Sequence, residues 1–379
     1  MYTYQEENRF FAQISTGLEE YGADELRELG AENVNPVFRG IHFEANLETI
    51  YRINYNSRLL SRVLAPIKTF KCHSTKYLYR IVQGIDWTEF LDIDGTFAIF
   101  AHTSNSSIRH SQYAALCVKD AIADFYKDKF GRRPDVDKYN PDVWVSLHID
   151  NDNAVLSIDT SGGSLHKRGY RREALEAPMI ETLAAGIIRV SGWKGEKPLY
   201  DPMCGSGTLL CEAIMSYCKI PSGFLKDRFG FECLPDFDRS VWEKVKKESD
   251  SQIRELPEGL VFGSDISSKA IRLTERNIRG ILPNHNISLL AKDFNSIDEI
   301  KDSVIVTNPP YGIRMNNSDD LGGFYKEIGD FFKQKCTNSI AFVYFGEREY
   351  LKRIGLRTSM KMPLSNGGLD GRLGKFEIY

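Results

Sequence analysis

Long apolar runs are missing from this sequence. No stretch of its 379 residues approaches the ~18 uninterrupted apolar positions that cross a membrane, which excludes a helical span. The opening residues, MYTYQEENRF, lack the basic start and apolar stretch of a secretory leader, and a soluble, cytoplasmic protein is expected. Charge of one sign is missing too. Lys plus Arg number 49 against 52 Asp plus Glu, a net charge of −3, so the molecule is not a polycation and any nucleic-acid surface has to be a local patch. Cysteine occurs seven times but without a C-x-x-C pair or a matching His cluster. That removes a zinc site and a disulfide framework, leaves ordinary reduced thiols, and gives no expectation of a metal. Cys211 and Cys218, two helical turns apart, read as the buried face of one helix. Internal repeats and low-complexity tracts are absent. Against these absences stand 42% hydrophobic and 12% aromatic residues, ample for a large core in a chain long enough for two or three domains.

Residues 9–65 mix strand-like runs (RFFAQIS, and the stretch around Gly40-Ile41-His42-Phe43) with helical ones at Gly17–Leu29 and Leu47–Arg62, the alternation of a small α+β unit. A second such block follows over 67–160, with a helix at Ser111–Phe130 and strands at Thr96–His102, Val143–Ile149 and Ala154–Asp159. From about Lys197 the rhythm changes to short apolar strands separated by helices: Pro198–Tyr200, Leu260–Gly263, Ile287–Ala291, Val304–Val306 and Ser339–Tyr344. That alternation predicts an α/β fold with a doubly wound, mostly parallel sheet. A C-terminal antiparallel hairpin is expected around Asn366-Gly367-Gly368. The insertion at 219–258 reads as an added helix and loop, with the charged run Trp242–Asp250 as a solvated face. The domains are accordingly placed at 1–66, 67–165, a basic linker with a leading helix at 166–195, and 196–379.

Four segments carry chemistry. Asp201-Pro202-Met203-Cys204-Gly205-Ser206-Gly207-Thr208 ends a strand on a carboxylate and enters a helix through two glycines that let a ligand approach the backbone. A bare strand-to-helix turn would read the same way, and the third glycine of a dinucleotide fingerprint and the Gly-Lys-Ser/Thr of a P-loop are both lacking. Asp265, at the end of the next strand, suits a pair of ribose hydroxyls, and Ile266 beside it suits an adenine face. Asp293, followed by Phe294, is placed to accept from an adenine amine. Each carboxylate alone could equally be a helix N-cap. The fourth segment, Thr307-Asn308-Pro309-Pro310-Tyr311-Gly312, runs a buried strand into two prolines that stiffen the backbone. There the Asn308 side-chain carbonyl and the Pro309 backbone carbonyl can accept from one planar NH2, exposing its lone pair to an electrophilic methyl, while Tyr311 stacks on the ring.

DPMCGSGT, GSDI, KDF and TNPPYG in this order resemble the S-adenosylmethionine-dependent amino methyltransferases with an N-P-P-Y active site. The block Leu165–Arg171 followed by Ala177–Ala185 resembles the junction of their THUMP-containing branch, specifically the guanine-N2 methyltransferases of large-subunit ribosomal RNA, over essentially the whole chain. The resemblance implies a ferredoxin-like unit at 1–66, a THUMP RNA-binding domain at 67–165 and a Rossmann-like methyltransferase domain at 196–379. It implies S-adenosylmethionine held by Asp201, Pro202, Cys204, Gly205, Gly207, Thr208, Asp265, Ile266, Asp293, Phe294 and Asn308. It further implies a target base held by Asn308, Pro309, Pro310 and Tyr311, with 23S rRNA or a large-subunit precursor as partner. A second methyltransferase, fused behind this one in proteobacterial members and making 7-methylguanosine, is not expected in a chain ending at Tyr379.

The basic stretch with Lys167, Arg168, Tyr170, Arg171 and Arg172 is expected to contact RNA phosphates, with a base stacked on Tyr170, unless it is a solvated linker. The exocyclic amine of guanine and that of adenine both suit N-P-P-Y. A tRNA guanosine and adenine N6 of DNA therefore stay open as targets, as does an RNA-binding assembly factor that has lost catalysis.

Overall fold

The computed structural model describes residues 1–171, 179–310, 318–366 and 369–379. The chain divides into two compact units, one made of Met1–Gln13, Glu25–Leu165 and Lys226–Lys247, the other of Ile14–Asp24, His166–Leu225 and Glu248–Tyr379.

The first unit is built on α1 (Thr3–Glu7), β1 (Arg9–Ile14), the end of α2 (Glu19–Glu28), β2 (Glu32–Val37), β3 (Gly40–Glu44), α3 (Leu47–Asn56), β4 (Leu60–Lys71), α4 (Thr75–Gln83), β5 (Thr96–Ser104), α5 (Ser111–Phe130), β6 (Asp135–Val136), β7 (Val143–Asp150) and β8 (Asn153–Asp159). Its strands form one eight-stranded sheet in the order β2-β3-β1-β4-β8-β7-β5-β6. The two α+β blocks of the sequence thus share a sheet, and the expected boundary at 66/67 falls inside β4. Pro66 lacks the ladder donor, and the β4–β8 register shifts between Pro66 and Lys68, the bulge by which a strand absorbs a proline. The helix expected to continue to Arg62 stops at Asn56. Ser57 Oγ and the Arg58 and Leu59 amides donate to the buried Glu25 carboxylate at 2.6, 2.9 and 3.2 Å, so a carboxylate 32 to 34 positions away captures the groups that would extend the helix.

The insertion holds the expected added helix, Arg239–Asp250, but its charged run is not wholly solvated. Lys226–Lys247 belongs to the first unit, where Trp242 packs edge-on against Tyr51, Tyr55, Phe229 and Phe231 with ring centroids 5.1–6.4 Å apart. Of its charged helix, Trp242 and Val245 are buried at a spacing of three, so only the remaining faces are solvated.

The second unit contains α6 (Glu181–Ser191), β9 (Leu199–Asp201), α7 (Thr208–Tyr217), the end of α8 (Arg239–Asp250), β10 (Val261–Asp265), α9 (Ser268–Ile281), β11 (Ser288–Ala291), β12 (Val304–Thr307), α10 (Ser318–Lys335), β13 (Ser339–Phe345), β14 (Thr358–Asn366) and β15 (Leu369–Ile378). The sheet order is β11-β10-β9-β12-β13-β15-β14. Strands β9 to β13 are parallel, and β15 runs antiparallel to both β13 and β14, as the periodicity predicts; Gly367 and Gly368 of the expected turn lie outside the described residues. Chain order reverses between β9 and β12, which puts the crevice of a doubly wound sheet at their carboxyl ends. Cys211 and Cys218 are both buried along and at the end of α7, as expected of small hydrophobes.

Candidate active site at the carboxyl edge of the parallel sheet

A cavity of about 450 Å³ opens at this edge, and the ends of four neighbouring strands wall it: Asp293 after β11, Asp265 on β10, Asp201 on β9 and Asn308 after β12. Pro202, Cys204, Gly205, Thr208, Ile266, Phe294 and Pro310 also line it. Gly207 lies just behind the lining. Its φ of 77° is left-handed, and a Cβ there would come within 2.5 Å of Thr274 Cγ2, so only glycine serves as the cap of α7.

The glycine turn is held from below. Asp265 accepts from the Gly205 amide through Oδ2 and from the Ser267 amide through Oδ1, both at 2.9 Å. Thr274 Oγ1 donates to the Gly205 carbonyl and Asn277 Nδ2 to that of Ser206, each at 2.9 Å. Asp265 therefore shapes the loop as well as facing the cavity, where Ile266 stands 74% exposed as an apolar part of the lining. Asp293 caps a short turn by accepting from the Asn295 amide at 2.8 Å, the N-cap alternative the sequence leaves open, while still lining the cavity. Phe294 is mostly core: it is 6% exposed and packs edge-on against Phe324 and Phe331.

Asp201 is 1% exposed. It accepts from the Met203 amide at 3.1 Å and from Thr307 Oγ1 at 2.9 Å, the second bond bridging the switch point between β9 and β12. Burial is the main force on its carboxyl, pushing it up to about 7 from an ordinary 3.8; the Met203 and Thr307 hydrogen bonds oppose the rise and the Asp265 charge adds to it. The folded protein thus keeps a proton that the unfolded chain releases near pH 4. The stability this group contributes is fully present below about pH 4 and is lost as pH rises through about 7. Asp201→Asn, neutral throughout, is expected to melt progressively higher than the wild type as pH rises across this window, by a few degrees at pH 8, when both are followed calorimetrically without cofactor. A constant difference across pH would contradict the burial of this charge.

Asn308 is half-buried. Its Oδ1 is buried with no hydrogen-bond partner among the described residues, an arrangement costing about 1–3 kcal/mol that an incoming donor would recover. Pro309 is buried and Pro310 lines the cavity. Tyr311 lies outside the described residues, as do Arg172, Ala177 and Pro178.

The basic stretch is where the structure corrects the sequence reading. Arg168 and Glu212 form a buried pair, Nε to Oε1 3.3 Å, with side chains 1% and 0% exposed, and the Tyr170 hydroxyl donates to the same Oε1 at 3.0 Å. Arg171 donates to the Met179 carbonyl at 2.8 Å and to Thr208 Oγ1 at 2.9 Å, and faces Glu181 at 3.4 Å. Arg168 and Tyr170 are therefore not available to phosphates or bases, and Arg171 anchors the start of α7 beneath the cavity. The apolar neighbourhood that a charge-rich segment acquires on folding is invisible in its sequence. Lys167 is exposed. The sequence reading missed Thr307, Thr274 and Asn277, although the last two, polar residues at a spacing of three among the apolar positions of an amphipathic helix, were a usable signal.

Comparison with known proteins adds to this geometry. Residues 168–375 match the RMKL-like methyltransferase domain, 72–159 the THUMP domain and 9–64 the RlmL ferredoxin-like domain. A Synechocystis sp. protein provisionally named RNA methyltransferase slr0064 is 40% identical over 98% of this chain and 97% of its own. The ribosomal RNA large subunit methyltransferase K/L of Syntrophotalea carbinolica is 38% identical over 98% of this chain but 53% of its own, so the chain spans about half the length of that relative. Among solved structures, SMU.472, provisionally a methyltransferase and crystallised with S-adenosylhomocysteine, superposes with a TM-score of 0.84 at 28% identity, covering 98% of both chains.

Proposed function

Starting from a chain that belongs to the RMKL-like methyltransferase family and carries a THUMP domain, we propose that it methylates the exocyclic N2 of a guanosine in 23S rRNA. Its cofactor is S-adenosylmethionine, which supplies a methyl group on a cationic sulfur. The residues fit that group: buried Asp201 offers a carboxyl whose ionisation, near pH 7 in the folded protein, a neighbouring cation would favour, Asp265 and Asp293 offer acceptors for hydroxyls and an amine, and exposed Ile266 offers a face for a base.

The observation that carries the reading is the orphaned, buried Oδ1 of Asn308 beside this cavity. Oδ1 accepts from the target amine, and the Pro309 carbonyl accepts its second hydrogen. The two acceptors fix the nitrogen and turn its lone pair toward the methyl. With S-adenosylmethionine held there, its methyl would pass from sulfur to this nitrogen, and the surplus proton would leave the nitrogen to water. Positioning supplies most of the rate. The RNA substrate is supported by the THUMP match and by the names of the relatives.

The test is transfer of labelled methyl from S-adenosylmethionine to 23S rRNA, bulk tRNA and DNA from a strain lacking the protein, followed by nucleoside analysis. N2-methylguanosine in 23S rRNA is the expected product; the same nucleoside in tRNA alone, or N6-methyladenine in DNA, overturns the substrate assignment. Asp201→Asn is expected to weaken cofactor binding by about tenfold, close to 1.4 kcal/mol, measured by calorimetry at pH 8.

A further inference from the structure

The second unit has another large concavity, about 1110 Å³, which the site just described does not use. Its walls come from the segment after β13, from β14 and β15, and from Gly322 on α10. They present Arg348, Lys352, Arg353, Lys361 and Arg372 against a single acidic lining residue, Glu349. In a protein of net charge −3 this is a strong local excess. Arg372 is engaged by Asp370, whose carboxyl is held below its ordinary range by Arg372 and, more weakly, by Arg348. Lys352, Arg353 and Lys361 are exposed and form no ion pair among the described residues, whereas Lys129, Arg132 and Arg133 of the first unit each face an aspartate.

The groove adjoins the methyl-transfer site through shared elements. Thr307, which precedes Asn308, is in register with Val343, and Phe345 with Arg372. At about 4.8 Å per strand, the carboxyl ends of β12 and β13 and the start of β15 fall along one edge within a reach of a few nucleotides. Helix α10 walls both cavities, Phe324 lining the first and Gly322 the second, and the buried Tyr325, next to Phe324, stacks on Tyr350 of the groove at 4.9 Å between centroids.

We propose that this groove holds the phosphodiester backbone flanking the target base, so that the methyltransferase unit itself grips the RNA whose amine enters at Asn308. The proposal rests on the function above for the identity of its polyanion. Exposed, unpaired cations release counterions when they meet phosphates and position the strand without reading its bases.

The test uses the full chain and 23S rRNA from a strain lacking the protein. Lys352→Ser, Arg353→Ser and Lys361→Ser are combined in one variant. A charge-matched control combines Lys194→Ser, Lys197→Ser and Lys301→Ser, which precede β9 and β12 at the opposite edge of the sheet. The groove variant is expected to lower the slope of log affinity against log salt by about 2–3. The KM for RNA rises about tenfold, with kcat at saturating RNA and the affinity for S-adenosylmethionine unchanged. A salt slope equal to wild type, or an equal loss in the control, overturns the proposal. Binding is read without turnover. A wild-type protein that transfers no methyl to RNA therefore overturns the proposed function, and the salt-slope comparison still decides the groove.

Discussion

Asn308→Ala is expected to transfer methyl groups about 10²- to 10³-fold more slowly than the wild type at saturating substrate, while cofactor affinity changes by no more than about threefold, a difference below 1 kcal/mol. The reason is the state of Oδ1. A buried acceptor with no partner among the described residues is already desolvated, so it gives up no bond to water when it meets the amine. Truncation removes that acceptor and leaves the Pro309 carbonyl to hold the amine alone, free to rotate out of line. Asn308→Asp keeps an acceptor at the same place and is expected to recover part of the rate. Single-turnover kinetics with cofactor and RNA both in excess of their dissociation constants separate this loss from weaker binding. An alanine variant with an unchanged single-turnover rate would remove Asn308 from the reaction and, with it, the main support for the proposed chemistry.

The second large effect is on stability. Glu212→Ala is expected to cost about 3–5 kcal/mol, the usual consequence of removing one partner from a buried ion pair. Arg168 is 2% exposed and Tyr170 3%, and the Glu212 carboxylate receives both the guanidinium and the phenol. Without it, a delocalised cation and a hydroxyl are left in a region too dry to solvate them. Arg168→Met combined with Glu212→Leu, which removes both charges and keeps volume, is expected to recover most of the loss. Urea unfolding midpoints followed by intrinsic fluorescence read the difference. The same variants decide what Arg168 does. If it served phosphates, Arg168→Met with Glu212→Leu would reduce the salt dependence of RNA binding at unchanged stability, whereas a structural pair predicts that this dependence stays as in the wild type.

Much of the methyltransferase unit was legible in the sequence because its strands are short apolar runs whose ends fall on residues with distinctive chemistry. Asp201, Asp265, Asp293 and Asn308 come in the order that a parallel sheet with a reversal between its first and fourth strands brings to one edge. The hairpin at the end could be read from alternation and from Gly367 and Gly368. The α5 helix was placed at Ser111–Phe130, its observed span, by a periodicity maintained over five turns. What could not be read depended on partners distant in the chain. Helix α3 stops where Glu25 reaches Ser57, and the aromatic residues of the insertion find theirs in Tyr51 and Tyr55.

By itself, then, the sequence determined the parallel sheet, the glycine turn and the acceptors at its carboxyl edge, since those follow from local periodicity, from the conformational freedom of glycine and from the chemistry of single side chains. Only the tertiary structure decided which charges are at work and which are buried. A run of arginines reads the same whether it meets solvent or a glutamate on another helix. Arg168, read as a contact to RNA, instead neutralises Glu212 inside the unit, while Lys352, Arg353 and Lys361, unremarkable in the sequence, come together on folding as an exposed cationic groove. The physical reason is that charge acts through distance and dielectric, and both are set by the packed fold rather than by the order of residues along the chain.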